Sequence, residues 1–212
     1  MVGLDTMQRV GILGGTFDPP HLGHLVLAEY AQEALDLERV LFVPAADPPH
    51  KRGIVRTPIA YRLPMLELAI ADRDKFAISR IDIDRPGPHY AVDMIRLLQT
   101  DLPDSEVYFL MGSDSFNDLP RWHRPADLIQ ACRIVVLDRP GRGWAPTMHD
   151  EILPDLADRT VTLGYPRLGI SSTEVSRRLD AGLSVRYLVP QPVLQYIAEH
   201  GLYKHAREHT AT

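Results

Sequence analysis

Short apolar runs alternate with amphipathic helical stretches along nearly the whole of this 212-residue chain, and no other feature narrows the fold as much. Arg9–Leu13 reads as a buried strand and Leu22–Leu35 as a helix. Val40–Val43 is a second strand, stopped by Pro44, and Ile59–Ala71 a second helix. Phe76–Ile83 alternates as a half-buried strand, with Ile81 and Ile83 carrying the phase on after a slip, and Tyr90–Leu98 follows as a helix after the turn Arg85–Pro88. The most β-prone run, Val107–Met111, predicts a central strand. Ala126–Ala131 is a short helix, Arg133–Leu137 and Thr160–Leu163 are strands, and Ser172–Ala181 and Val193–His200 are the last helices. Arg139 to His149, rich in glycine and proline, is expected as a surface loop.

Strands and helices recurring at roughly 30-residue spacing are right-handed βαβ units. They predict an α/β fold: a Rossmann-like, doubly wound, mostly parallel sheet with helices on both faces and a short helical C-terminal extension. One domain is expected over residues 8–203, its C-terminal helical part over 166–203, with tails at 1–7 and 204–212. The 28 acidic and 23 basic residues give a net charge of -5, which argues against a broad nucleic-acid footprint but leaves room for a small basic pocket. A single cysteine, Cys132, makes no intramolecular disulfide or Cys-rich metal site and points to a reducing compartment. No apolar run approaches ~18 residues and Met1–Thr6 carries no leader pattern, so a cytoplasmic protein without membrane contact is expected.

Ligands of doubly wound sheets bind beyond the carboxyl ends of the strands. The chemically unusual segments all fall there: Gly14–His24 after the first strand, Pro48–Lys51 after the second, Pro88–Tyr90 after the third, Gly112–Asp114 after the fourth, Ser171–Thr173 after the sixth. In Gly14–His24, GGTFDPPHLGH, two glycines permit close backbone approach, and a helix starting at Leu22 or Gly23 offers unpaired amides to an anion. His21 and His24 stand on one side of the first helical turn, suited to a phosphate that gains charge during reaction. No third ligand at suitable spacing makes them a metal site. Asp18 is expected to cap the turn or fix one imidazole's tautomer. Taken singly, a histidine at a helix start is more often structural, and this string is neither a G-x-G-x-x-G fingerprint nor a P-loop.

Taken together, G-G-T-F-D-P-x-H-x-G-H resembles the signature of the H-x-G-H nucleotidyltransferase superfamily. Ile170-Ser171-Ser172-Thr173-Glu174-Val175 resembles its second signature. Pro48-Pro49-His50-Lys51, Gly112-Ser113-Asp114 with Trp122 eight residues on, and the tail from Tyr187 to Tyr203 resemble the bacterial nicotinate-mononucleotide adenylyltransferases. The likeness runs from about Val10 to Tyr203. Two positions depart from that pattern. His89-Tyr90-Ala91 replaces S/T-Y-T, and Ser176 stands where the family usually has an arginine. Arg177 then substitutes by a one-residue shift, or the charge comes from elsewhere.

The resemblance implies transfer of AMP from ATP to nicotinate mononucleotide, giving deamido-NAD and pyrophosphate by direct attack on the α-phosphate. His21 and His24 would be catalytic. Gly14, Gly15, Thr16, His24, Gly112, Asp114, Ile170, Ser171, Ser172, Thr173 and Arg177 would bind ATP. Gly15, Thr16, Phe17, His21, Lys51, Tyr90, Ala91, Trp122 and His123 would bind nicotinate mononucleotide. Mg²⁺ would be held by the ATP phosphates and waters, with no protein metal ligands. Against these roles stand plainer ones: helix capping for Asp114 and Ser171–Thr173, solvated surface for Lys51, a core anchor for Trp122. Other readings are pantetheine-phosphate adenylyltransferases or cytidylyltransferases, a zinc hydrolase using Asp18, His21 and His24, and an inactive nucleotide-binding regulator. The oligomeric state, a homo-oligomer included, is open.

Overall fold

The computed structural model describes residues 7–46, 56–138, 144–164, 166 and 168–204. Its first strand, β1 (Gln8–Gly15), is buried on both faces from Val10 to Leu13, as an apolar run inside a parallel sheet must be. It pairs in parallel with β2 (Arg39–Pro44), Gly15 opposite Pro44, and with β4 (Ser105–Gly112), Ile12 opposite Phe109. Outside these lie β3 (Phe76–Ile78) beside β2, then β5 (Arg133–Leu137) and β6 (Thr160–Leu163) beside β4. The order β3-β2-β1-β4-β5-β6 is parallel throughout and reverses direction between β1 and β4.

Helices α1 (Leu22–Ala34), α2 (Ile59–Ile70), α6 (Ser172–Asp180) and α7 (Gln191–Glu199) share one face. Their core includes Leu27, Phe42, Leu66, Val175 and Val193. Helices α3 (Ala91–Asp101), α4 (Ser113–Asp118) and α5 (Pro125–Ala131) cover the other, with Ile12, Ile95, Phe109, Phe116 and Leu128. Each such side chain contributes ~1.5–3 kcal/mol by burial, against ~0–1 kcal/mol for an exposed ion pair, so apolar packing holds the layers. Gly11 lets the turn between α1 and β2 approach β1: a Cβ there would lie 2.7 Å from Leu37 Cδ1.

Two expectations need correction. The third strand ends at Ile78, because the amides of Ile83 and Asp84 both turn back to Arg80 O. The alternation carried on by Ile81 and Ile83 belongs to a turn. Of the expected surface loop, the described part is partly inside: Trp144 packs edge-on against Phe116 at 5.6 Å, and buried His149 lies 3.1 Å from Phe116 O through Nε2. Among the described residues, no helix is long and apolar enough to cross a membrane.

Candidate active site

A cavity of about 580 Å³ opens at the carboxyl ends of β1 and β4, where the strand order reverses. Such a switch point leaves a crevice because the connections from the two central strands depart to opposite sides. Its walls bring together Gly14, Gly15, Thr16, His21 and His24 with Gly112, Asp114 and Ser171–Thr173. Tyr90, Ala91, Trp122 and His123 line it as well.

The β1–α1 turn is built around two imidazoles. His21 is the N-cap of α1, and its backbone N–H donates to His24 Nδ1 at 3.2 Å. The rings stack with centroids 3.7 Å apart. Because Nδ1 of His24 accepts, the hydrogen of the neutral ring sits on Nε2, which is then a donor for an anion. Gly23 makes the stack fit: a Cβ there would stand 3.0 Å from His21 Nδ1. That accounts for the glycine inside H-x-G-H. Phe17, at φ 47°, is fully buried with its ring edge-on to His24 at 4.9 Å. It can offer a ligand only backbone.

The first amides of α1 do not all face the opening, contrary to expectation. Leu22 N–H donates to Leu188 O at 2.9 Å and His24 N–H to His21 O at 2.9 Å. The helix therefore contributes imidazoles more than amides. Asp18 accepts from Thr57 N–H at 3.0 Å and from the Tyr203 hydroxyl at 2.6 Å, pinning the turn to the C-terminal tail.

Across the cavity, α6 docks onto the same turn. The Ser172 hydroxyl donates to Pro19 O at 2.9 Å and that of Ser176 to Asp18 O at 3.4 Å. Ser171 caps the helix by accepting from Glu174 N–H. The amides of Ser172 and Thr173 are left at a positive dipole end, a suitable anion contact. Half-buried Ile170 packs on the core, its carbonyl beside Gly23. Arg177 is exposed and bidentate to Glu174, both bonds 2.8 Å, outside the cavity wall. That pair holds the Glu174 carboxyl below its ordinary range. Gly112, not Asp114, is the N-cap of α4, which puts Asp114 in the first turn at the wall. Lys51 lies outside the described residues.

At the far end, α3 starts at the wall, and its N-cap Tyr90 makes no side-chain bond to the helix's first amides. Tyr90 stacks on His123 at 4.0 Å, and half-buried Trp122 meets Phe109 edge-on at 6.1 Å. Sequence reasoning missed what fixes this loop. Arg85 pairs with Asp82 at 2.8 Å and donates to Pro88 O at 3.1 Å. Burial pushes the Asp82 carboxyl up, against the pull of Arg85. Arg62 was missed too, although it had a signal: it is the charged member of the buried stripe Arg62, Met65, Leu66, Ala69 on α2.

Among the described residues no three His, Cys, Asp or Glu side chains could cage a metal ion. The imidazoles of His21 and His24 and the helix-start amides of Ser172 and Thr173 converge on one crevice, which suits anionic phosphate groups.

A family described as cytidylyltransferase-like matches residues 12–178. The chain is 46% identical over 198 residues to a probable nicotinate-nucleotide adenylyltransferase of Thermomicrobium roseum, covering 93% of this chain and 92% of that one. It is 44% identical over 197 residues to the counterpart from Thermus thermophilus, covering 93% and 100%. In fold it resembles the Plasmodium falciparum nicotinic acid mononucleotide adenylyltransferase solved with NaAD, at TM-score 0.77 and 19% identity over 92% of this chain and 97% of that one.

Proposed function

The chain belongs to the cytidylyltransferase-like family, among its nicotinate-nucleotide adenylyltransferases, and from that premise we propose the reaction and the role of each residue. A 5′-phosphate oxygen of nicotinate mononucleotide attacks the α-phosphorus of ATP in line. The bond from that phosphorus to the β-phosphate bridging oxygen breaks, pyrophosphate leaves, and nicotinate adenine dinucleotide is formed without a covalent enzyme intermediate. Catalysis is then positioning and stabilisation of charge on the transferring group.

The observation that carries this reading is the stacked pair His21–His24 facing the start of α6 across one cavity. His24 Nε2–H donates to the α-phosphate, and His21 and the amides of Gly15, Thr16 and Phe17 receive the phosphates. Gly14 and Gly112 admit the nucleotide closely, Asp114 accepts from ribose hydroxyls, and Ile170 offers backbone to adenine. Ser171, Ser172 and Thr173 hold the triphosphate. Arg177 reaches it by exchanging Glu174 for phosphate, and Lys51 contacts the acceptor phosphate. Mg²⁺, held mainly by the ATP phosphates, supplies charge neutralisation there.

The pyridine ring lies against Trp122. Its carboxylate meets the amides at Tyr90–Ala91 and Trp122–His123, the first pair belonging to the N-terminus of α3. The test is pyrophosphate release from ATP with a panel of phosphate-bearing acceptors. Nicotinate mononucleotide is expected to be the preferred acceptor, with inversion at phosphorus when an α-thio ATP isomer is the donor. Preference for phosphopantetheine, or retention of configuration, would overturn the reading.

A further inference from the structure

Arg62 is 2% exposed and lies behind the cavity, outside its wall. Its guanidinium nevertheless gathers four backbone carbonyls from three separate segments. Nε donates to Thr57 O at 2.8 Å, Nη1 to Thr16 O at 2.7 Å and Ala45 O at 3.1 Å, and Nη2 to Ala46 O at 3.4 Å. Only an arginine has a planar fork of donors wide enough for this, and it stays charged when buried. Burial lowers its proton affinity and nearby Asp18 opposes that. Thr57 closes the ring of contacts, since its N–H donates to Asp18 while its carbonyl accepts from Arg62.

These bonds have a consequence for the phosphate end. A trans peptide is planar, with its N–H pointing opposite to its C=O. Gly15 O accepts from Ala45 N–H at 2.9 Å, and Thr16 O accepts from Arg62. The N–H groups of Thr16 and Phe17, in those same two peptide units, are therefore turned the other way. Among the described residues neither donates to a protein acceptor. Phe17 holds this turn at a left-handed φ of 47°, a backbone state that a non-glycine chain leaves unless it is held.

We propose that Arg62 is a positioning residue: by holding the Thr16 carbonyl it turns the Phe17 amide, and by anchoring Ala45, whose N–H holds Gly15 O, it steadies the Thr16 amide, so that both face the transferring phosphate. Asp18, pinned by Tyr203, completes the clasp and couples the C-terminal tail to the phosphate end. The inference rests on the adenylyl-transfer reading for its kinetic readout, and a second readout is independent of it.

The experiment compares Arg62→Lys, which keeps the charge but loses the fork, with Tyr203→Phe, which deletes one hydroxyl. In steady-state assays Arg62→Lys lowers kcat by about 10- to 100-fold, the scale of a small misplacement transmitted from outside the site. KM for both substrates stays within about threefold, because binding groups elsewhere are untouched. Tyr203→Phe lowers kcat by about three- to tenfold in the same pattern. Independently of any acceptor, backbone amide NMR shifts of Thr16 and Phe17 respond to inorganic pyrophosphate in the unaltered protein and lose that response in Arg62→Lys. Should Arg62→Lys fail to fold, the Tyr203→Phe kinetics and amide shifts decide alone. Unaltered kcat and unaltered pyrophosphate response in the folded variants, with only a lower Tm, would make Arg62 simple scaffolding and overturn the proposal. If the unaltered enzyme ignores nicotinate mononucleotide, the functional reading fails while the amide response still tests the clasp.

Discussion

Around His21 and His24, the bonds that shape the cavity join residues 39, 46 and 185 positions apart: Thr57 to Asp18, Arg62 to Thr16, Tyr203 to Asp18. Around Tyr90 they join residues three to five apart, as Arg85 reaches Asp82, Pro88 and Tyr90, and His89 reaches Arg85 O. The phosphate end thus exists only when most of the chain has closed around it, whereas the loop that leads into α3 at the ring end is pinned mainly by its own neighbours and meets Trp122 and His123 by ring packing. The division suits the two tasks. Charge stabilisation demands donors fixed by rigid surroundings. Choice of acceptor can be carried by a local loop whose replacement leaves the chemistry standing.

The comparison breaks most sharply at His24. His24→Ala is expected to lower kcat by on the order of 10²–10³ with the fold intact, as for loss of a transition-state donor. Steady-state kinetics beside a thermal melt would check this, and a normal kcat with a depressed Tm would turn His24 into a packing residue. Trp122→Ala, at the other end, should instead act on acceptor binding. Stacking on a cationic ring is favourable by ~0.5–2 kcal/mol, so KM for nicotinate mononucleotide should rise by roughly 2- to 30-fold while KM for ATP stays put. An equal loss in kcat would erase the distinction between the two ends.

The smallest effect is expected on α6. Arg177 is exposed and already bonded to Glu174, so Arg177→Ala should raise KM for ATP by about fivefold at most. Ser176→Arg should do less, because Ser176 is engaged with Asp18 O beside the turn. A tenfold tightening of ATP by Ser176→Arg would show that position 176 faces the triphosphate after all.

Local features were the legible ones. The glycine-rich turn, the H-x-G-H spacing and the meeting of four segments, around His21, Tyr90, Asp114 and Ser172, at one cavity could be read because each is written in neighbouring letters. The closing of α1's first amide by Leu188 could not, since a carbonyl has no letter of its own and its partner is far along the chain. Arg62 was half legible: a charge on an apolar helical stripe marks a buried, paired cation, but its four carbonyl partners leave no trace in the sequence. The overlong third strand rests on Ile81 and Ile83 resuming the alternation after a one-residue slip, and that slip marks the turn where backbone bonds to Arg80 prevail. The missed Asp82–Arg85 pair was available as an i,i+3 match beside Pro86-Gly87-Pro88.

The acceptor's ring substituent tests the central claim most directly. Nicotinate carries a carboxylate and nicotinamide an amide of nearly the same shape, so only the donors can separate them. Ala91 begins α3 at the cavity wall, and N–H groups there donate to a carboxylate but find no acceptor in an NH₂ group turned towards them. The amide leaves one buried N–H unpaired at ~1–3 kcal/mol and loses a charge-assisted bond as well. Measured at saturating ATP, kcat/KM for nicotinate mononucleotide should exceed that for nicotinamide mononucleotide by at least about a hundredfold. A ratio under about ten would contradict a ring end built from converging amides and point to an enzyme of dual specificity.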